Sequence, residues 1–573
     1  MNNGSMKDKN MTGYPSIDRP WLKYYRKEDI DSTLPECSIY EYMYENNKNY
    51  PRDIAINYFG RKITYAELFT NIDKTAKAFQ AVGVKKGEIV TVALPSIPEA
   101  LYVVYALNKI GAVANMIHPL AGKNEIIGYL NEVKSRVAVI FDKTMDIIGD
   151  GIRETSVEQA VVVTAGYSLS LGLKIAYSLK NKASDCKGVF KEWEDFIKNG
   201  KKIELKPYKK DCHTMAIISH TGGTTGEPKG VMCSDYNVNS LMLQSISGFK
   251  HDERQHCALA VLPPFVNYSL ISSMLEMLAI GYIVVLLPKY EPAQIWNYIS
   301  KYHPNVVLSI PAYWEKLLDK DKCVDMTFFE QIYYGGESMS QETESAINDV
   351  LRRCGSKTEL LKGLGSTELT SVASQTYPWC NDIGSVGIPL LKMNCKIVNP
   401  ETYVELPYNS DGEICFTGPT LMLGYYNNEM ATNEVIKVHS DGKRWLHTGD
   451  LGHITEDGVI YVTGRIKRIV MTKGQDGQVT KLFPDRIEKA IYSVENVELC
   501  CVVGVPDERR INIPKAYVVL KHGNNDVDGI KDEILQQCHD ALPEYMVPEM
   551  IEIMDDLPRT PRGKVDYRVL ENR

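Results

Sequence analysis

Ser219 to Val231 reads SHTGGTTGEPKGV, and this stretch decides the fold. The preceding Met215 to Ile218 is apolar and predicts a strand. That strand runs into a loop with four glycines, three threonines and one lysine. Small flexible residues let backbone N–H groups converge on an anion. The hydroxyls of Thr221, Thr224 and Thr225 add donors, and Lys229 adds charge. The segment predicts a phosphate cradle. It is not a Walker A loop, in which Gly-Lys-Ser/Thr opens a helix; here Lys229 precedes Gly230.

Upstream, helix and strand signals alternate. Ile63 to Leu68 predicts a strand entering a helix that ends at Gly83. Ile89 to Leu94 predicts a β-branched strand. Pro98 to Ile110 predicts a helix, with Leu101, Val104, Leu107 and Ile110 spaced by three and four. Ala138 to Phe141 and Ala160 to Thr164 are further short apolar runs. Helices between short apolar strands predict a parallel α/β sheet. Ser269 to Leu287 is long enough to suggest a membrane span. Glu276 and Gly281 interrupt it, and Ile283-Val284-Val285 is strand-like. A buried helix followed by a buried strand is expected instead, in a protein without a transmembrane span.

Residues 167–211 differ in texture. Ten lysines stand between Lys180 and Lys210, among five acids. Two readings stand: a solvated surface helix and linker, or a peripheral contact with an anionic membrane or a partner. From Asp411 onward short strands and turns dominate, and a boundary is expected near Gly464 to Lys467.

The 573 residues suggest several domains at roughly 100–200 residues each. A composition 44% apolar and 24% charged excludes a chiefly disordered or coiled-coil chain. The net charge of −8 argues against a dedicated nucleic-acid binder, so any anion must be held locally. Thirteen cysteines, with no CxxC pair, predict reduced thiols in a cytoplasmic protein. The N-terminus carries no apolar targeting segment.

Three more segments carry chemistry. Gly363 to Glu368 reads GLGSTE. It lacks the third glycine of a dinucleotide fingerprint, and its lone carboxylate beside a phosphate loop suits Mg²⁺. A helix N-terminal glutamate favouring the macrodipole is the other reading. Trp445 to Asp450 (WLHTGD) offers an aspartate able to accept hydrogen bonds from ribose hydroxyls. Arg559 to Lys564 (RTPRGK) is either an exposed basic tail or a cation delivered to a reaction centre.

Together these segments resemble the adenylate-forming superfamily of acyl-CoA synthetases, firefly luciferase and peptide-synthetase adenylation domains. The resemblance extends from ITYAEL at Ile63 through YYGGES (Tyr333–Ser338), GEICFTGPTLMLGYY (Gly412–Tyr426), GRIK (Gly464–Lys467) and LPEYMVP (Leu542–Pro548) to LPRTPRGKVD (Leu557–Asp566). It implies an α/β fold. A large N-terminal adenylation domain (1–464) would contain α/β subdomains and a β-barrel-like part. A small mobile α+β domain (465–573) would follow, hinged near Lys467.

The implied reaction joins a carboxylic acid to the α-phosphate of ATP, releasing pyrophosphate. A thiol, usually that of CoA, then takes the acyl group. The resemblance assigns Thr221, Gly222, Thr224, Thr225, Gly226 and Lys229 to the phosphate loop. Gly336, Glu337 and Ser338 would line the adenine. Gly363, Leu364, Gly365, Ser366 and Thr367 would border the nucleotide, with Thr367 on phosphate. Glu368 would hold Mg²⁺, Asp450 and Arg465 the ribose, and Lys564 would bridge carboxylate and α-phosphate. Val266, Tyr268 and Tyr334 would shape the acyl pocket.

Three departures from the family pattern matter. Leu364 stands where an aromatic is common. The loop after the hinge, KGQDGQVTKLFPDRIE, is longer than usual and carries Arg486 in place of glutamate. Both CoA and a separate carrier protein's phosphopantetheine therefore stay open as acceptors. Val266 stands where amino-acid-activating relatives carry aspartate. An α-ammonium would be left unpaired there, so a fatty or aryl acid is expected.

Overall fold

The structure, a computed structural model, describes residues 11–181, 186–209, 211–221, 228–247, 254–289, 291–319, 322–473, 479–521, 526–559 and 565–573, the side chains of Ile246 and Lys467 aside. Pro98–Lys109 forms the helix its spacing predicts. Pro98 occupies the first turn, where a missing N–H costs nothing. Its residues through Asn108 are buried, and the helix packs against Tyr65–Ala81. Fully burying each Leu or Val contributes about 1.5–3 kcal/mol. The Tyr65–Ala81 helix opens at Thr64, whose hydroxyl accepts the Glu67 N–H.

The fully buried strand Ile89–Ala93 lies between parallel neighbours Val113–Met116 and Val137–Phe141, as expected of a β-branched run covered on both faces. It belongs to an eight-stranded sheet. That sheet runs from Phe190–Glu192 through Gln159–Val163 and the three central strands to Met215–His220, Gly230–Ser234 and, at its edge, Gly424–Tyr425. A nine-stranded sheet contains the parallel run Ile283–Leu286, Cys257–Ala260, Val306–Ser309, Gln331–Tyr334 and Leu361–Gly365. Both sheets feed one hydrophobic core. The segment weighed as a membrane span is a buried helical stretch, Tyr268–Ala279, followed by the strand Ile283–Leu286. Among the described residues no helix is long and apolar enough to cross a membrane.

The part expected to resemble a barrel is a five-stranded antiparallel sheet of Asn394–Val398, Gly412–Thr417, Arg444–Ile454, Ile436–Val438 and Ile460–Arg465. Among the described residues it does not close on itself. The last hundred residues hold a separate core. It lies under the strands Val497–Asp507, Ile511–Leu520 and Met550–Ile553 and the helices Pro484–Tyr492 and Val527–Ala541.

One expectation about cysteine is corrected. Cys323 and Cys354, whose Cα atoms lie 5.3 Å apart, are joined as a disulfide. The helix Gln341–Arg353 ends beside residue 323 and brings its C-terminal Cys354 there. This proximity belongs to the tertiary fold and has no signature in cysteine spacing. Eleven other cysteines, Cys500 and Cys501 among them, are free thiols.

Candidate active site

Three loops leave the carboxyl ends of parallel strands, where open α/β sheets place their ligands. The first follows Met215–His220. Its strand end is pinned by His220, whose Nε2 meets Asn115 Oδ1 at 2.8 Å, and by Ser219, whose hydroxyl donates to Asn267. At the loop base, the Thr221 N–H donates to the Lys229 carbonyl (3.0 Å) and the Lys229 N–H donates to the Thr221 hydroxyl (3.2 Å). Thr221 therefore closes the base of the loop. Gly222, Thr224, Thr225 and Gly226 lie outside the described residues.

The second loop follows Gln331–Tyr334 and holds Gly336, Glu337 and Ser338. Gly336 takes φ +81°, a conformation that disfavours side chains. The third follows the adjacent parallel strand Leu361–Gly365 and holds Ser366, Thr367 and Glu368. Two glycines of this motif have a packing reason. A Cβ on Gly365 would lie 1.8 Å from the Ser371 carbonyl oxygen, and one on Gly363 would lie 2.8 Å from that of Ser374. The antiparallel partner Val372–Gln375 comes that close. Leu364 is partly exposed, and the buried Ser366 hydroxyl has no partner among the described residues.

Tyr425 joins the first and third loops. Its backbone pairs with Val231 at the edge of the first sheet. Its hydroxyl donates to Glu368 Oε1 at 2.7 Å, and the Lys229 ammonium stands 5.1 Å from its ring centre. Burial, the Glu368 charge and that hydrogen bond push the phenol's pKa upward, so it remains a donor. Sequence reading did not single out Tyr425. It stands in the quoted Gly424-Tyr425-Tyr426, but nothing local indicates a partner 57 residues away.

Asp450 and Arg465 face each other across paired strands of the third sheet, Arg465 Nε to Asp450 Oδ1 at 2.8 Å. Asp450 is buried. The backbone N–H of Arg465 donates to Asp485. Lys467 lies in the short turn Ile466–Arg468. Next to it, Arg468 pairs with Asp485 and Glu488 and donates to the Val502 carbonyl. This anchor was not foreseen.

Lys564 lies outside the described residues. Its flanks are placed: Arg559 and Val565 form an isolated antiparallel bridge. Glu315 is raised mainly by burial and then by Glu337, while Lys316 and Arg559 oppose the shift.

Among the expected pocket residues, Tyr268 lies against Gly335, its ring 3.6 Å from where a Cβ would stand. It opens a π-helical stretch, Tyr268–Leu275, a local form frequent near functional sites. Val266 is partly exposed just before it. Tyr334 is buried and anchored. Its hydroxyl donates to Glu344 at 3.1 Å, and Glu344 forms a buried ion pair with Lys362.

Comparison with known proteins places the chain in a family. Residues 43–426 match the model of the AMP-binding enzyme family, and residues 486–564 match the AMP-binding enzyme C-terminal domain. The chain belongs to the AMP-binding enzyme family, the adenylate-forming acyl-CoA synthetases. It is 28% identical over 572 residues to a long-chain-fatty-acid–CoA ligase of Bacillus subtilis (strain 168), covering 96% of this chain and 97% of that one. It is 30% identical over 486 residues to probable 4-coumarate–CoA ligase 1 of Dictyostelium discoideum, covering 83% of each. Its fold is similar to that of ATP-bound MatB from Rhodopseudomonas palustris, with TM-score 0.79 and 22% identity over 94% of this chain and 99% of that one.

Proposed function

We propose that this chain activates a fatty or aryl carboxylic acid with ATP, giving acyl-AMP and pyrophosphate, and then forms the CoA thioester. The observation that carries the reading is the junction of Lys229, Tyr425 and Glu368 at the carboxyl ends of two sheets. The physical problem of the first step is charge. Two unit charges about 4 Å apart repel by about 4 kcal/mol at an effective dielectric of about 20. Cations and oriented donors must offset that repulsion as a carboxylate approaches a triphosphate.

Lys229 and the threonines of its loop would meet the phosphates. Asp450 and Arg465 would hold the ribose. Gly336 to Ser338 and Gly363 to Thr367 would border the base and phosphates. Lys564 would bring a cation to the carboxylate and α-phosphate, with residues 465–573 as the moving part about a hinge at Lys467. The donor set fits Mg²⁺: Glu368 is an oxygen ligand fixed by Tyr425, and its second oxygen has no protein partner among the described residues. When bound there, Mg²⁺ would neutralise phosphate charge.

Val266 supports an acid without an α-amino group, since it offers no counter-charge. The two relatives quoted are named for a fatty and an aryl acid. Eleven free thiols against one disulfide support a cytoplasmic setting by majority only. The test is AMP release from ATP with Mg²⁺ across a panel of fatty, aryl and amino acids, with and without CoA. AMP that depends on one fatty or aryl acid and on CoA is expected. Adenylate that CoA fails to discharge would move the acceptor to a carrier protein. Failure of every acid to yield adenylate would overturn the reading.

A further inference from the structure

The helix Leu171–Lys180, LGLKIAYSLK, has no buried residue. Leu171, Ile175 and Leu179 recur every four positions and form one stripe, at 77, 53 and 82% exposure. The helix is not loosely attached. On its other side Tyr177 packs its ring against Gly166, where a Cβ would come within 2.6 Å. Lys174 reaches Glu194 at 3.4 Å, which ties the helix to the following one, Trp193–Asn199. The outward apolar stripe is therefore a held feature of the surface.

Its surroundings are cationic. Ten lysines against five acids occupy 180–210, in a chain whose net charge is −8. Lys180, Lys187, Lys191, Lys198, Lys201 and Lys202 are exposed. A short amphipathic helix with exposed leucines and adjoining lysines has the chemistry of an interfacial membrane anchor. Its apolar stripe enters the acyl boundary while the ammonium groups meet anionic headgroups.

We propose that Leu171–Lys180 and the exposed Lys187, Lys191, Lys198, Lys201 and Lys202 dock the protein peripherally on an anionic lipid bilayer. The occupant suits the proposed reaction, because a fatty acid partitions into bilayers. In that respect the inference rests on the acyl-CoA ligase reading, but the docking can be measured without it.

The test is co-sedimentation of the full chain with phosphatidylcholine vesicles, with or without 30 mol% phosphatidylglycerol. Pelleting only with the anionic vesicles is expected. L171E/I175E/L179E should weaken that binding at least ~10-fold. L179E alone, at the most exposed position, should weaken it measurably in a chain whose melting temperature is unchanged. K198E/K201E/K202E should abolish the preference for anionic vesicles. AMP release with a water-soluble acid should be unchanged in each variant, so that lost activity and lost docking are separable. The proposal falls if the wild type stays in the supernatant with both vesicles. It falls if the triple leucine-stripe variant pellets as the wild type does. It also falls if that variant instead converts a dimer to a monomer, because the stripe would then be a self-association face.

Discussion

The Tyr425 hydroxyl donates to Glu368 Oε1 at 2.7 Å, and this bond joins the edge of one large sheet to a loop of the other. It fixes one oxygen of the carboxylate proposed to hold Mg²⁺. A hydrogen bond to a charged group is worth about 1.5–3 kcal/mol, or roughly 10–100-fold in rate if it acts in the transition state. Tyr425→Phe keeps the ring beneath Lys229 and removes only the hydroxyl. Adenylation should slow by about that factor and need more Mg²⁺, with the melting temperature nearly unchanged. Acid-dependent ATP–pyrophosphate exchange over a Mg²⁺ series would show it. An unchanged Mg²⁺ requirement would limit the bond to architecture.

The role proposed for Lys564 rests on its motif, and its test separates the two half-reactions. Lys564→Ala should abolish acyl-AMP formation while sparing thioester formation from supplied acyl-AMP. Equal loss of both would remove the assigned role.

The contact of Tyr334 with Glu344 shows where sequence reading stopped. The strand Met215–His220 and the helix Pro98–Lys109 were legible because each is written in contiguous residues. Tyr334 was expected beside the acyl pocket. Its hydroxyl serves Glu344, which pairs with Lys362 in a site that is 1 and 3% exposed at the two side chains. That triad draws on a strand, the following helix and the next strand, so no local pattern encodes it. The Tyr425–Glu368 bond and the Arg468 anchor escaped notice for the same reason. Removing one partner of a buried ion pair strands a charge and costs about 3–5 kcal/mol. Glu344→Ala should therefore lower the urea midpoint strongly, whereas Tyr334→Phe should cost far less. Equal midpoints for the two variants would contradict the pairing.

A pH dependence follows from the third sheet. His447 Nδ1 lies 2.7 Å from Glu413 Oε2, and His447 Nε2 lies 2.9 Å from His439 Nε2. With His447 donating to Glu413, its Nε2 can accept one N–H from a neutral His439. Burial lowers the His439 pKa from 6.5 to about 4, helped by Lys396 and His447, while Asp441 and Glu413 oppose the shift. The folded state thus binds this proton less readily than the unfolded chain. The stability tied to a neutral His439 is fully present above about pH 6.5. It is lost as pH falls toward 4 and changes little below that. His439→Gln keeps a side-chain donor for His447 and removes the titration. Urea midpoints at several pH values between 7.5 and 4 should fall more steeply in the wild type than in this variant. Parallel profiles for the two proteins would assign the acid sensitivity to other groups.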